Sequence, residues 1–228
     1  MIKFLGQPIY DVASGKRYGY ELFIREEINH ELVMPVDFSR YGATEITQLL
    51  AKTVRHLSED IQMLAFNLDE RQFIDHHFLQ PLVKLQRQTS VKICIELTER
   101  LGAGEAPVAA RQLVDAARSY QRAGLHVCLD DVGTGNNTAA LVGLLLPYVV
   151  ECKFALQNVR NWETCDRIKT ELHFWRALAA KQHIQFALEG IETQPDLKWV
   201  QEFAPDLVQG YYFGMPGEMT DTNDSLVN

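Results

Sequence analysis

The chain has 228 residues, 46% of them hydrophobic and 23% charged, which is ordinary for a globular protein. Its formal net charge of −8 argues against a broad basic surface for nucleic acid polymers. No apolar stretch approaches the ~18 residues that span a bilayer. The start, Met-Ile-Lys-Phe-Leu-Gly-Gln-Pro, lacks the apolar region of a secretory signal, so we expect a cytoplasmic chain without a membrane segment.

The predicted elements begin with a hairpin, formed by strands at 4–11 and 18–25 around Ala-Ser-Gly-Lys. Helix 44–57, strand 61–68 and helix 70–86 follow. Strands and helices then alternate at 91–97, 106–123, 126–132, 138–146, 149–156, 162–181, 184–189, 195–203 and 207–213. Alternation this regular implies parallel strands with crossover helices. We therefore predict an α/β fold with a single (β/α) barrel domain over residues 1–216, and a polar, flexible tail at 217–228.

Polar side chains recur where the apolar strand-like runs end. They are Asn67, Glu96, Asp130 with Asp131, Lys153, Glu189 and Gln209. Because parallel strands place their C-terminal ends together, these groups are expected to converge in space. An open doubly wound sheet is the alternative architecture, but it would gather ligands mainly where the strand order reverses.

Convergent carboxylates indicate a divalent-metal site, because an uncompensated carboxylate is costly to bury. Asn67 adds a neutral oxygen of the type that hard cations bind. The adjacent Asp130 and Asp131 suit two ions about 3.5 to 4 Å apart, provided that Gly133 and Gly135 turn the chain at once. Each acid alone has a simpler interpretation as a helix cap.

Lys153 lies inside the buried run VVECKFAL. Beside several acids its pKa is expected to stay high, which suits holding phosphate or water. A lysine on a barrel strand is also what a Schiff-base aldolase uses, although that reading leaves the acidic ring unexplained. Arg25, four residues after Glu21 on the same strand face, offers a guanidinium to phosphate or a surface ion pair.

The cysteines and histidines add no further site. Cys94, Cys128, Cys152 and Cys165 contain no Cys-x-x-Cys pair, the first three lie inside predicted buried strands, and we interpret them as reduced core thiols. His76 and His77 are adjacent, which on a helix would turn them about 100° apart and prevent them from sharing a metal.

The ordered motifs resemble the EAL-domain cyclic di-GMP phosphodiesterase family over nearly the whole chain. They are QPIYD, YELFIR, FNL, IELTE, LDDVGTG, CKF, LEGIET and VQGYYFG. The resemblance implies a modified TIM barrel with one antiparallel strand and a homodimer formed beside the loop after Asp131. It also implies a metal site formed by Glu21, Asn67, Glu96, Asp130 and Asp131.

Further roles follow from the same resemblance. Glu189, Lys153 and Asp131 would be catalytic, and Gln7, Arg25 and Gln209 would contact the substrate. Glu99 and Glu192 would support the loop after Asp131. The implied reaction is hydrolysis of cyclic di-GMP to linear pGpG with two Mg²⁺ or Mn²⁺ ions, and Ca²⁺ would inhibit it.

Departures from the family pattern keep a second function open. Ala155 stands where active members commonly carry Asp, Val132 replaces a Phe, and Asn136 replaces an aromatic residue. These changes are typical of a degenerate member that binds cyclic di-GMP or a protein partner without turnover, because supporting residues can contribute about 10- to 100-fold to metal affinity or activity.

Overall fold

A computed structural model describes residues 1–38, 40–98, 107–134, 138–160 and 164–219. The strands are β1 Ile2–Asp11, β2 Arg17–Ile28, β3 Glu31–Val33, β4 Met63–Asp69, β5 Lys92–Thr98, β6 His126–Leu129, β7 Glu151–Ala155, β8 Gln185–Glu189 and β9 Leu207–Gln209. The α-helices are α1 Ala43–Val54, α2 Glu70–Ile74, α3 Leu79–Gln86, α4 Ala110–Arg122, α5 Ala139–Leu145, α6 Leu156–Val159, α7 Cys165–Gln182 and α8 Leu197–Phe203.

Eight of the described strands close into a barrel, in the order β1, β9, β8, β7, β6, β5, β4 and β2, and β2 pairs again with β1. Strand β1 is antiparallel to both of its neighbours, whereas the other strands of the barrel run parallel to one another. The short β3 extends β2 from outside the ring. The predicted modified TIM barrel is therefore confirmed.

The core has two layers because the strands are covered on both faces. Small and apolar side chains fill the barrel interior, namely Ile9, Tyr18, Met63, Ala65, Cys94, Cys128, Ala187 and Leu207. A larger cluster lies between the strands and the surrounding helices. Cys94, Cys128 and Cys152 are buried free thiols, as predicted, whereas Cys165 is an exposed free thiol outside the core. This packing leaves the strand ends as the place for polar groups.

Several predicted boundaries are wrong. The helix expected at 70–86 breaks at Asp75, which has an extended backbone and caps a 3₁₀ turn at His76–Phe78. The strand expected at 207–213 ends at Gln209, where Gly210 adopts a φ of 154°. Strand β7 stops at Ala155 because α6 begins at the next residue.

Some predictions lie outside the described residues. These are the helix starts at 106 and 162, Gly135 and the tail beyond residue 219. Within the described part, Gly217 still pairs with Gly6 of β1. No described helix has the length and apolarity needed to cross a membrane.

Candidate active site

The strand-end residues predicted from the sequence converge at the C-terminal mouth of the barrel. Neighbouring strands bring Asn67 level with Glu96, and the antiparallel β1 brings Gln7 level with Glu21. Lys153 reaches the same group from β7. The barrel thus gathers residues that are up to 202 positions apart in sequence, as for Gln7 and Gln209.

Lys153 is the cation at the centre of this group and is 1% exposed. Its Nζ lies 2.8 Å from Glu96 Oε1, 3.2 Å from Glu21 Oε2 and 3.8 Å from Asp130 Oδ1, and it also contacts the Glu189 carboxylate. Burial opposes the ammonium charge, but the four carboxylates, with Glu189 first, raise the pKa of Lys153 well above its usual value. The surrounding carboxylates therefore favour the charged form of Lys153.

Glu21 is the best-satisfied acid of the group. Asn67 Nδ2 donates to its Oε1 at 2.7 Å, and Gln209 Nε2 donates to its Oε2 at 2.7 Å. Burial alone would raise the pKa of Glu21, but Lys153 and these amide donors hold it below its usual value. Gln209 also donates to Gln7 Oε1 at 2.9 Å, which links both predicted substrate-contact amides to the site.

The negative charges of the other acids bound to Lys153 are less well compensated. Burial, together with the charge of Glu21, raises the pKa of Glu96 well above its usual range. Burial also raises the pKa of Asp130 to about 7 and the pKa of Glu189 well above normal, because Lys153 only partly offsets it. One ammonium thus does not suffice to keep all four carboxyl groups in their charged form.

The donor set fits divalent cations. Ligand oxygens of Asp130, Asp131 and Glu189 lie within 4.8 Å of one another. Glu96 Oε2 is buried and accepts no hydrogen bond from the described residues. Because all these donors are oxygens, a hard cation such as Mg²⁺, Mn²⁺ or Ca²⁺ matches them best and would supply the missing positive charge.

The loop after β6 turns at once, as the adjacent acids require. Asp131 adopts a left-handed backbone with a φ of 51°, an uncommon conformation for a residue with a side chain. Gly133 follows with a φ of 87° and leaves no room for a Cβ, which would lie 2.7 Å from Trp175 Nε1. The Val132 amide donates to the Lys153 carbonyl at 3.0 Å, which ties the loop to β7.

Two adjoining cavities open at this mouth. The smaller, about 280 Å³, is lined by four of the acids, Glu21, Asp130, Asp131 and Glu189, and also by Gln157, Glu192 and Tyr211. The larger, about 430 Å³, has a mostly apolar floor and carries Arg25. Gln7, Phe23, Asn67 and Tyr211 line both cavities. The pair offers an acidic, metal-suited centre beside a broad pocket with a cationic side chain.

Of the two residues predicted to support the loop after Asp131, the structure describes only Glu192. Glu192 lines the smaller cavity and forms an ion pair with Arg160 at 3.3 Å. Its support of the loop after Asp131 stays a prediction. Glu99 and Asn136 lie outside the described residues. Sequence reasoning missed Gln157 and Arg160, because neither belongs to a strand end or a motif.

The α-helical geometry predicted for His76 and His77 is wrong. His76 and His77 lie in the 3₁₀ turn, with ring centroids 4.1 Å apart. Together with Asp75 they bring three ligand atoms within 4.8 Å of one another. The Asp75 carboxylate already accepts hydrogen bonds from the His77 amide at 3.0 Å and from its Nδ1 at 2.7 Å.

Comparison with known proteins gives this geometry a family. The model of the EAL domain matches residues 2–216. The chain belongs to the EAL domain family. Among curated relatives, a probable cyclic di-GMP phosphodiesterase, PdeD of Escherichia coli (strain K12), is 22% identical over 94% of this chain. That match spans 41% of the relative's length, so this EAL chain covers less than half of it.

Solved structures of other proteins share the fold. YkuI of Bacillus subtilis, in complex with substrate c-di-GMP and calcium, superposes with a TM-score of 0.78 at 19% identity, covering 98% of this chain and 57% of YkuI. BlrP1 of Klebsiella pneumoniae, in a calcium and cyclic di-GMP complex, gives a TM-score of 0.77 at 20% identity, covering 95% of this chain and 56% of BlrP1.

Proposed function

We propose that this EAL domain is a metal-dependent phosphodiesterase that hydrolyses cyclic di-GMP to linear pGpG. The observation that carries the proposal is the buried Lys153 surrounded by four carboxylates, next to a cavity that holds Arg25. Family membership supports the substrate class, since relatives of this fold are named for cyclic di-GMP. The cytoplasmic location and the homodimer stay predictions.

The metal ligands would be Glu21, Asn67, Glu96, Asp130 and Asp131. The fit rests on the oxygen donors and on the orphaned Glu96 Oε2. When bound, divalent ions supply positive charge to the phosphodiester and lower the pKa of the attacking water. We infer Mg²⁺ or Mn²⁺ as the activating ions, and inhibition by Ca²⁺ because it accepts looser coordination.

The side chains of the protein have separate roles in the proposed hydrolysis. Glu189 takes a proton from the attacking water, since its carboxylate lies at the strand end among the oxygens of Asp130 and Asp131 that suit a metal. Lys153 stays protonated and holds the water and the carboxylates in place. Arg25 and the amides of Gln7 and Gln209 orient the substrate. Water oxygen bonds to phosphorus, the bond from phosphorus to the 3′ oxygen breaks, and that oxygen takes up the proton released by the attacking water.

A Schiff-base reaction is disfavoured by Lys153 itself. Imine formation needs a neutral amine, and four acidic neighbours hold this lysine in its charged form. Ala155 favours a different second candidate, a cyclic di-GMP receptor without turnover. It is a buried methyl at a strand end that otherwise carries polar groups toward the site.

The deciding assay uses purified chain, cyclic di-GMP and Mg²⁺ or Mn²⁺, with chelator in parallel, and separates the nucleotides by chromatography. We expect pGpG only with metal, loss of product on adding Ca²⁺, and no turnover in Glu21→Ala or Glu189→Ala. Glu59→Ala, at an exposed position, is the matched control. Binding of cyclic di-GMP without pGpG would instead establish the receptor.

A further inference from the structure

Arg160 binds the chain segment that follows Glu189. It follows α6, and its Nη2 donates to the Gly190 carbonyl at 2.6 Å. The same guanidinium lies 3.3 Å from Glu192 Oε2 and 3.2 Å from Asp196 Oδ2. A planar guanidinium presents several donors in a fixed arrangement, so three acceptors from one short segment are held in a defined relation.

Asp196 extends these contacts to the backbone of the same segment. Its Oδ2 accepts hydrogen bonds from the Glu192 amide at 3.1 Å and from the Thr193 amide at 2.9 Å. Burial would raise the pKa of Asp196, but these backbone donors and Arg160 hold it below its usual value. The carboxylate therefore stays charged and keeps its bond to Arg160.

Gly190 shows why the segment depends on this support. Its backbone has a φ of 70°, and a Cβ there would lie 2.8 Å from the Gln157 backbone nitrogen. Helix α6 thus packs directly on Gly190, while Arg160 binds the Gly190 carbonyl from the end of that same helix. A glycine backbone is intrinsically flexible, and this peptide is held at the Gly190 carbonyl by Arg160 and at the Ile191 amide, which donates to the Gln209 carbonyl at 3.3 Å.

We propose that Arg160 is a positioning residue for Glu189. By fixing the Gly190 peptide it sets the direction in which the Glu189 carboxylate meets Lys153 and the oxygens of Asp130 and Asp131. The catalytic part of this inference rests on the proposed phosphodiesterase function; the metal-binding part rests on the oxygens of Glu189, Asp130 and Asp131, which lie within 4.8 Å of one another. Arg160 lines neither cavity, so it acts through the segment and not through substrate contact.

Arg176 provides a matched control at the other end of β8. Its guanidinium lies 3.2 Å from Asp206 Oδ2, and that carboxylate accepts the Phe186 amide at 2.8 Å. The two arginine side chains are equally exposed, at 30%. One pair thus supports the strand start and the other the strand end, where the acids lie.

The experiment compares Arg160→Ala, Arg160→Lys and Arg176→Ala with the parent chain. It measures kcat and KM for cyclic di-GMP, Mn²⁺ affinity by electron paramagnetic resonance, and recovery of Arg160→Ala by added guanidinium ion. We expect Arg160→Ala to lose about 10- to 100-fold in kcat and in Mn²⁺ affinity, with KM unchanged. Arg160→Lys is expected to fall between, and guanidinium to restore part of the loss.

The outcomes separate the two proposals. If the parent chain makes no pGpG, the phosphodiesterase function fails, and Mn²⁺ affinity still tests the role of Arg160. Arg160→Ala with parental kcat and Mn²⁺ affinity would overturn the inference, as would an equal loss in Arg176→Ala. If Arg160→Ala does not fold, Arg160→Lys decides, and parental values in that variant count against positioning by the guanidinium.

Discussion

Ala155 lies opposite Glu189 in the register of β7 and β8. Strand alternation places Ala155 on the same face as Lys153, and it is 2% exposed. A methyl group therefore occupies a buried position beside the acid proposed as the base. Position 155 therefore adds no further carboxylate to the site.

Ala155→Asp tests whether this methyl limits the site. Without metal, the variant is expected to unfold more easily, because it buries one more carboxylate around a single ammonium. With metal, we expect Mn²⁺ affinity to rise about 10-fold and turnover to rise with it, since an added acid supports the ligands. Ala155→Asn, of similar size but neutral, is the control. Unchanged Mn²⁺ affinity in Ala155→Asp would show that the position is neutral.

Lys153→Met removes the cation that the four carboxylates share. We expect the free energy of unfolding in chelator to fall by about 3 to 5 kcal/mol at neutral pH, because breaking a buried ion pair leaves unpaired charge. Added Mn²⁺ is expected to recover part of that loss. Urea denaturation with and without metal measures both effects.

Lys169→Met is the control for that experiment. Lys169 pairs with Glu202 at 2.6 Å on the outer surface, where solvent screens the charges. The free energy of unfolding of the Lys169→Met variant is expected to match that of the parent chain with or without metal. A Lys153→Met variant as stable as Lys169→Met would contradict the central role given to Lys153.

Strand patterning predicted the site well because the barrel converts sequence order into spatial convergence. Apolar runs that end in Asn67, Glu96 or Glu189 required only that parallel strand ends meet. Glu21 and Gln7 could not be placed by that rule alone, since the antiparallel β1 brings them together. The family resemblance supplied them instead.

What the sequence did not reveal depends on local turns and tertiary contacts. Asp75 breaks a helical pattern through a cap that competes with the continuing helix. Arg160 follows a four-residue helix without a periodic signal, and its partners lie 30 or more positions away. These bonds form only because β7 and β8 are neighbours in the sheet, which the local sequence around Arg160 does not indicate.

Arg25→Lys tests the larger cavity. Arg25 lies with its guanidinium carbon 5.9 Å from the centre of the Phe23 ring, and its Nη1 donates to the Ile24 carbonyl at 2.9 Å. Lysine keeps the charge but loses planar, bidentate contact with phosphate. We expect KM for cyclic di-GMP to rise about 10-fold, equivalent to about 1.4 kcal/mol, with Mn²⁺ affinity unchanged. A changed Mn²⁺ affinity at constant KM would move Arg25 from the substrate to the metal centre.

Glu151 makes stability depend on pH. It is 1% exposed, neither carboxylate oxygen accepts a hydrogen bond from the described residues, and burial raises its pKa to about 7. Because the folded state holds this proton more tightly than the unfolded state, whose value is near 4.5, stability declines as pH rises from about 4.5 to 7 and then levels off. The loss of folding stability from this group is therefore nearly complete above about pH 7.

Glu151→Gln removes this ionisation. Relative to the parent, its free energy of unfolding in chelator is expected to improve by about 2 kcal/mol between pH 5 and pH 8. Comparing the two proteins at each pH cancels the contributions of the other acids. Glu59→Gln, at an exposed position, controls for the substitution itself. A difference between parent and Glu151→Gln that stays constant from pH 5 to pH 8 would mean that Glu151 titrates alike in the folded and unfolded chain.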